Sequence, residues 1–274
     1  MPLWKTILSY DGTPFHGWQV QPNLPTIQGT LAHAIHHITR ESVLPQGSGR
    51  TDAGVHALAQ VASFFLESPI PPANFLRALN HALPPSIRVL SIEHAAPSFH
   101  ARHSAIGKTY EYRIHPTNSI CSPMQAPYVW PCPFPLDMEQ LQEAATYILG
   151  THDFTSFAAV DPDLTARIAV LKDENSSTSP PSGASDVNFQ SASALTTRTI
   201  YESAWRQHED LLIYRVTGTG FLHHMVRNLV GTFAEAGTGR IPANSIPTIL
   251  AARNRSAAGP TAPASGLFLV KVEY

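Results

Sequence analysis

Apolar positions along this 274-residue chain switch between two periods in a regular order. Leu3 to Tyr10, LWKTILSY, reads as a strand that runs into the turn DGTP. From Thr26 the spacing becomes helical: Ile27, Leu31, Ile35 and Ile38 share one face, and Thr26 stands where an N-cap belongs. AQVASFF, Ala59 to Phe65, predicts a strand. PPANFLRALNHAL predicts a helix with Phe75, Leu76 and Leu79 on its apolar face and prolines in its first turn. SIRVLSIEHA predicts a strand again.

The second half keeps this rhythm. KTYEYRIH alternates, with Tyr110, Tyr112 and Ile114 on one face and Thr109, Glu111 and Arg113 on the other. DMEQLQEAATYILG carries an Asp137 cap, Gln140 in capping-box position and Gly150 as a stop. TRTIYESAW and DLLIYRVTG predict an antiparallel pair. FLHHMVRNLVGTFAEAG predicts a helix and GLFLVKVEY a closing strand. Between them, Asp173 to Ala194 is rich in Ser, Pro and Gly and reads as a flexible insertion at about 173–195. The expected fold class is α+β: two similar halves, 1–103 and 104–274, with a mostly antiparallel sheet flanked by helices and a site in a cleft between the halves.

Composition bounds the function. Hydrophobic residues make up 43% of the chain, enough for a substantial core, and charged residues only 14%. A net charge of -2 means that any polyanion-binding face is local. Cys121 and Cys132 form no CxxC pair, which points to a reducing compartment. Neither a signal-peptide pattern at MPLWKTILSYDG nor an 18-residue apolar run is present, so the expectation is a soluble intracellular protein.

GSGRTDAGVHA, Gly47 to Ala57, packs three glycines around Arg50 and Asp52. It starts like a dinucleotide fingerprint, but Asp52 stands where the third glycine belongs and its carboxylate repels a pyrophosphate. Histidine is abundant, 14 in all, yet His36-His37 and His223-His224 are adjacent pairs that diverge by about 100° on a helix, and no H-E-x-x-H occurs. In a helix, His223, Arg227 and Gly231 share a face on which Arg227 is able to hold a carboxylate through its planar fork. The alternation of its strand gives Tyr110 a core position.

Taken in order, YDGTPFHGWQVQ, TIQGTL, GSGRTDAGVHA, FHARHSAIGKTYEYRI, THDFTSF, TRTI, GFLHHMVRNLVG and GLFLVKVEY resemble the tRNA pseudouridine synthase A family over nearly the whole chain. Two departures stand out: a longer Ser/Pro-rich insertion, and LAHAIHHI, which lacks the acidic residue that often follows the leucine.

The resemblance implies a pseudouridine synthase fold. It implies isomerisation of uridine to pseudouridine at positions 38 to 40 of the tRNA anticodon stem-loop, with no metal and no cofactor. It makes Asp52 the catalytic aspartate, a carboxylate serving as nucleophile or base. Arg50 becomes the residue that fills the gap left by the flipped base or grips phosphate, Tyr110 the ring that packs on that base, and Arg227 the partner of the aspartate. It further implies a cytoplasmic homodimer. Arg77, Arg88, Arg102, Lys108, Arg113, Arg167 and Arg215 are candidates for a basic RNA track. The alternatives are a non-catalytic RNA-binding protein on the same fold and a metal-dependent hydrolase built on His223 and His224.

Overall fold

Among the described residues ten strands and five helices form; the longer ones follow the order foreseen from the apolar spacing, while the strands Gln46–Gly47, Trp130–Pro131 and Gly150–Asp153 and the helix Ile246–Ala252 were not foreseen. In chain order the elements are β1 (Leu3–Tyr10), α1 (Ile27–Thr39), β2 (Gln46–Gly47), β3 (His56–Phe65), α2 (Pro72–Ala82), β4 (Ile87–Ala95), β5 (Gly107–His115), β6 (Trp130–Pro131), α3 (Met138–Thr146), β7 (Gly150–Asp153), β8 (Thr197–His208), β9 (Leu211–Gly218), α4 (Met225–Gly237), α5 (Ile246–Ala252) and β10 (Leu267–Glu273). The computed structural model describes residues 1–117, 119–159 and 195–274. The expected insertion at 173–194 lies outside the described residues. The chain divides into two compact units: Met1–Pro133 with Arg206–Thr217 and Pro263–Tyr274, and Phe134–Trp205 with Gly218–Ala262.

In the first unit the strands lie in the order β4-β1-β3-β10-β5-β9. The pairings of β1 with β3 and β4, and of β10 with β5, are antiparallel, while β10 runs parallel to β3. This is the mostly antiparallel α+β architecture that the pattern implies. One helical layer packs on the sheet through aromatic edges: Trp4 meets Phe75 of α2 with ring centroids 5.3 Å apart, and Phe64 meets it at 6.4 Å. Thr26 caps α1 as foreseen, its hydroxyl accepting the Gly29 N–H at 3.2 Å.

In the second unit, β7 pairs antiparallel with the start of β8, Gly150 opposite Ile200 and Asp153 opposite Thr197. Asp137 caps α3 by accepting from the backbone N–H groups of Glu139 and Gln140. α3 packs closely on α4, and a Cβ at Gly237 would lie 2.9 Å from a Leu141 methyl. Two boundaries differ from the expectation. Gly150, with φ +93°, opens β7 and does not stop α3, which ends at Thr146. α4 starts at Met225 because His224 adopts a left-handed φ of 60°, a conformation that right-handed helices do not contain. His223 therefore lies before the helix and does not share a helical face with Arg227.

Candidate active site

The loop that carries Arg50 and Asp52 joins β2 to β3, and a second loop, the turn after β1, holds it in place. Trp18 N–H donates to the Thr51 carbonyl at 2.9 Å, and Gly54 N–H donates to the Phe15 carbonyl at 3.3 Å. These bonds bracket Asp52 on both sides. Gly54 turns the chain with φ +78°, a value that glycine adopts without steric cost. Gly17 has φ +83°, and a Cβ there would come 2.5 Å from the Thr51 carbonyl oxygen. YDGTPFHGWQ and GSGRTDAGVHA are thus two halves of one local structure.

A buried polar network lies beneath the loop. The Gln60 amide, fully buried, accepts from the Ser48 hydroxyl at 2.7 Å and donates to the Gly49 carbonyl at 2.9 Å. It also donates to the Tyr10 hydroxyl at 3.4 Å, which pairs with the Thr51 hydroxyl at 2.9 Å. The Lys108 ammonium donates to the Ser48 carbonyl at 2.6 Å. Lys108 is thus engaged in an internal bond as well as being an RNA-track candidate. None of Tyr10, Ser48 or Gln60 stands out in the sequence, because a lone buried hydroxyl or amide has no periodic signature.

Strand register sets which groups meet. Tyr10 lies opposite Ala57, Ala57 beside Leu269, and Leu269 opposite Tyr110, so Tyr10 and Tyr110 share one face of the sheet. Tyr110 is buried, as its alternation foretold, and it also feels Asp52. Burial pushes its hydroxyl pKa far up, and the negative charges of Tyr10 and Asp52 add to the shift. Burial likewise pushes Tyr10 up to about 12, against the hydrogen bonds from Thr51 and Gln60. Both phenols are neutral near neutral pH, and the Asp52 carboxylate is a charge that acts on Tyr110.

The row on the opposite face runs His56, Phe268, Glu111. Glu111 there accepts from Arg215 at 2.8 Å and Arg206 at 3.1 Å, and Arg113 stacks 3.9 Å from the centre of the Phe268 ring. Arg113 and Arg215 are thus separated from Tyr110 by the sheet. Arg77 donates to Asn74, and Arg88 to the carbonyls of Pro84 and Ile87. Arg167 lies outside the described residues.

Arg50 is exposed and donates from Nε to the Gln19 side chain at 3.2 Å. Asp52, Arg50 and Tyr110 belong to the first unit and Arg227 to the second. Within that second unit, Arg227 Nε donates to the Ala262 carbonyl at 2.8 Å, and the Ala262 N–H returns a bond to the Arg227 carbonyl at 3.1 Å. Gly231, one turn on, faces the Pro260 carbonyl so closely that no side chain fits, which explains the glycine on that stripe. The rings of His223 and His224 lie 4.0 Å apart and tilted by 38°.

Comparison with known proteins agrees over the full chain. A family model described as tRNA pseudouridine synthase matches residues 7–104 and 182–274. A tRNA pseudouridine synthase A from Solibacter usitatus is 48% identical, covering 98% of each chain. Proteins of the same name from Moorella thermoacetica, 40% identical over 100% of each chain, and from Maridesulfovibrio salexigens, 41% identical over 98% of this chain and 89% of the relative, are similar throughout.

His56, the first residue of β3, anchors the end of the Asp52 loop and yields a pH prediction. The Gly12 N–H donates to its Nδ1 at 3.0 Å, so the neutral ring carries its proton on Nε2, which donates to the Pro127 carbonyl at 3.1 Å. Burial holds the imidazole below its ordinary pKa. The Asp11 carboxylate, 3.3 Å away, opposes this without prevailing. The unfolded histidine takes up a proton near about pH 6.5 while the folded one refuses it, so stability present above that pH is lost as the pH falls toward the folded value. Replacing His56 by glutamine, which can still accept and donate, should make the urea midpoint less sensitive to acidification over that range. Equal pH slopes for the two proteins would refute the assignment.

Proposed function

The chain belongs to the tRNA pseudouridine synthase A family, and from that membership we propose how its residues perform the isomerisation of uridine to pseudouridine in tRNA. In this reaction the bond from C1′ to N1 breaks, the uracil turns over, and a bond from C1′ to C5 forms. C5 loses a proton and N1 gains one, so atoms and electrons balance within one nucleotide. The enzyme has two tasks: to expose a base stacked in RNA, and to assist cleavage and rejoining at C1′.

Asp52 takes the second task as the catalytic carboxylate, nucleophile or base. The observation that carries this reading is the placement of Asp52 in a loop zipped to its neighbour, with its charge acting on the neutral, buried Tyr110. Tyr110 is assigned to pack against the flipped uracil. Exposed Arg50 is assigned to fill the vacated stack or grip phosphate, and Arg227 to bind the substrate through its planar fork in the orientation that reacts. The reading includes positions 38 to 40 of the anticodon stem-loop as targets and a homodimer in the cytoplasm. No helix among the described residues is long and apolar enough to cross a membrane.

Incubation with unmodified tRNA followed by mapping of pseudouridine tests the assignment. Asp52→Asn changes one atom and should abolish product while tRNA binding persists; wild-type turnover by this variant would sink the role of Asp52.

Tyr110→Ala should weaken tRNA binding by roughly 1–3 kcal/mol of lost stacking. It also opens a core cavity, so Tyr110→Phe is the cleaner probe. That variant should fold and bind normally, and any change in its single-turnover rate reports the hydroxyl beside Asp52. An alanine variant that binds tRNA normally once folded would leave Tyr110 as core alone.

For Arg227→Lys, charge is kept but the planar fork is lost. The single-turnover rate should fall far more than affinity. A loss confined to affinity would make Arg227 a simple phosphate contact.

A further inference from the structure

Lys108 and Tyr110 alternate on β5, two residues apart, and so project from the same face of the sheet. Lys108 is half-buried, and its ammonium reaches across to the Ser48 carbonyl at 2.6 Å, joining β5 to the loop that carries Asp52. Gln60 holds the adjacent peptide, Gly49, from the neighbouring β3. Space around the ammonium is tight: a Cβ on Gly49 would stand 3.0 Å from Nζ.

We infer that Lys108 is a positioning residue that sets the separation between the Asp52 loop and the strand bearing Tyr110. The inference rests on the roles proposed above for those two residues. A charge-assisted bond to a carbonyl is short and strong, so the contact resists stretching. The bond meets the chain at Ser48, four residues before Asp52, and Tyr10 and Gln60 tie down the residues between. A displacement at Ser48 is therefore passed on to the carboxylate. A Cβ on Gly49 would press on the end of this strut at 3.0 Å, tighter than ordinary contact, so glycine at this position leaves the ammonium room.

Two variants test this from opposite directions. Lys108→Met keeps the aliphatic stem and removes the donor. Gly49→Ala keeps the lysine and pushes its end away. Both should fold and bind unmodified tRNA with unchanged affinity and unchanged salt dependence; Lys108→Met should lose about 100-fold in single-turnover rate, as a displacement of about 1 Å at a reacting group does, and Gly49→Ala, which shifts the ammonium less, should lose less in the same direction. Lys108→Cys should be similarly slow and should recover on aminoethylation, which rebuilds an ammonium at nearly the same reach. Treated wild-type protein controls for reaction at Cys121 and Cys132. Weaker binding with a salt slope smaller by about one, at an unchanged rate, would make Lys108 a phosphate contact and overturn the inference. A wild-type rate in Lys108→Cys before aminoethylation would overturn it equally, even if Lys108→Met fails to fold. Asp52→Asn in the same assay separates the two ideas. If that variant is inactive while the Lys108 and Gly49 variants are normal, only the strut is wrong. If it is active, the reading of Asp52 itself has failed.

Discussion

The candidate site depends on one buried amide. Gln60 has no access to water, and its oxygen and nitrogen are both used, by the Ser48 hydroxyl and by the Gly49 carbonyl. Leaving a buried donor or acceptor unmade costs about 1–3 kcal/mol each. A shift of the loop that broke both bonds would therefore cost a sizeable part of the stability of an ordinary domain. The loop carrying Arg50 and Asp52 is held by this penalty rather than by apolar packing. That suits a segment whose own side chains are polar and whose glycines leave little surface to bury.

The sheet separates chemistry from scaffolding charge. Alternation along β5 puts Lys108 and Tyr110 on the face of Tyr10, and Glu111 and Arg113 on the face of His56 and Phe268. The phenols of Tyr10 and Tyr110 on the first of these faces are neutral. Across the sheet, three guanidinium groups surround one carboxylate in a structural cluster. An enzyme of net charge -2 that handles a polyanion has to distribute its positive charge locally in this way. Several of its arginines are already committed to internal bonds.

Isomerisation places a particular demand on such a scaffold. Nothing is oxidised and no group leaves for solvent, so the roles proposed for Asp52 and Tyr110 ask the protein for placement: a carboxylate at a fixed distance from an aromatic ring, both held while a base turns over. Two loops joined by backbone hydrogen bonds and braced by Gln60 and Lys108 meet that demand. His56 closes the end of the same loop with a neutral imidazole whose two nitrogens are both bonded. The brace comes from three strands, β1, β3 and β5, so the loop is fixed by several strands of the sheet at once.

Local information determined much of this. Period-two and period-3.6 spacing located the long strands and four of the five helices among the described residues, but not the short strands β2, β6 and β7 or the helix α5, and the caps at Thr26 and Asp137 formed as their residue types require. Long motifs such as GRTDAGVHA and FLHHMVRNLVG identified the family and singled out Asp52, Arg50, Tyr110 and Arg227. The start of α4 was misplaced because a left-handed histidine has no sequence signature, and apolar spacing runs on unbroken through His223 and His224. Only tertiary structure decided what surrounds the aspartate. Ser48, Gln60 and Lys108 come together across separations of 12 and 60 residues. Lys108 reads in the sequence only as a basic candidate for an RNA track; that its ammonium holds the Ser48 carbonyl is visible only in the fold. Pairing of this kind depends on strand register and crossover, which no local window of sequence contains, whereas periodicity and capping act within a turn or two of the chain.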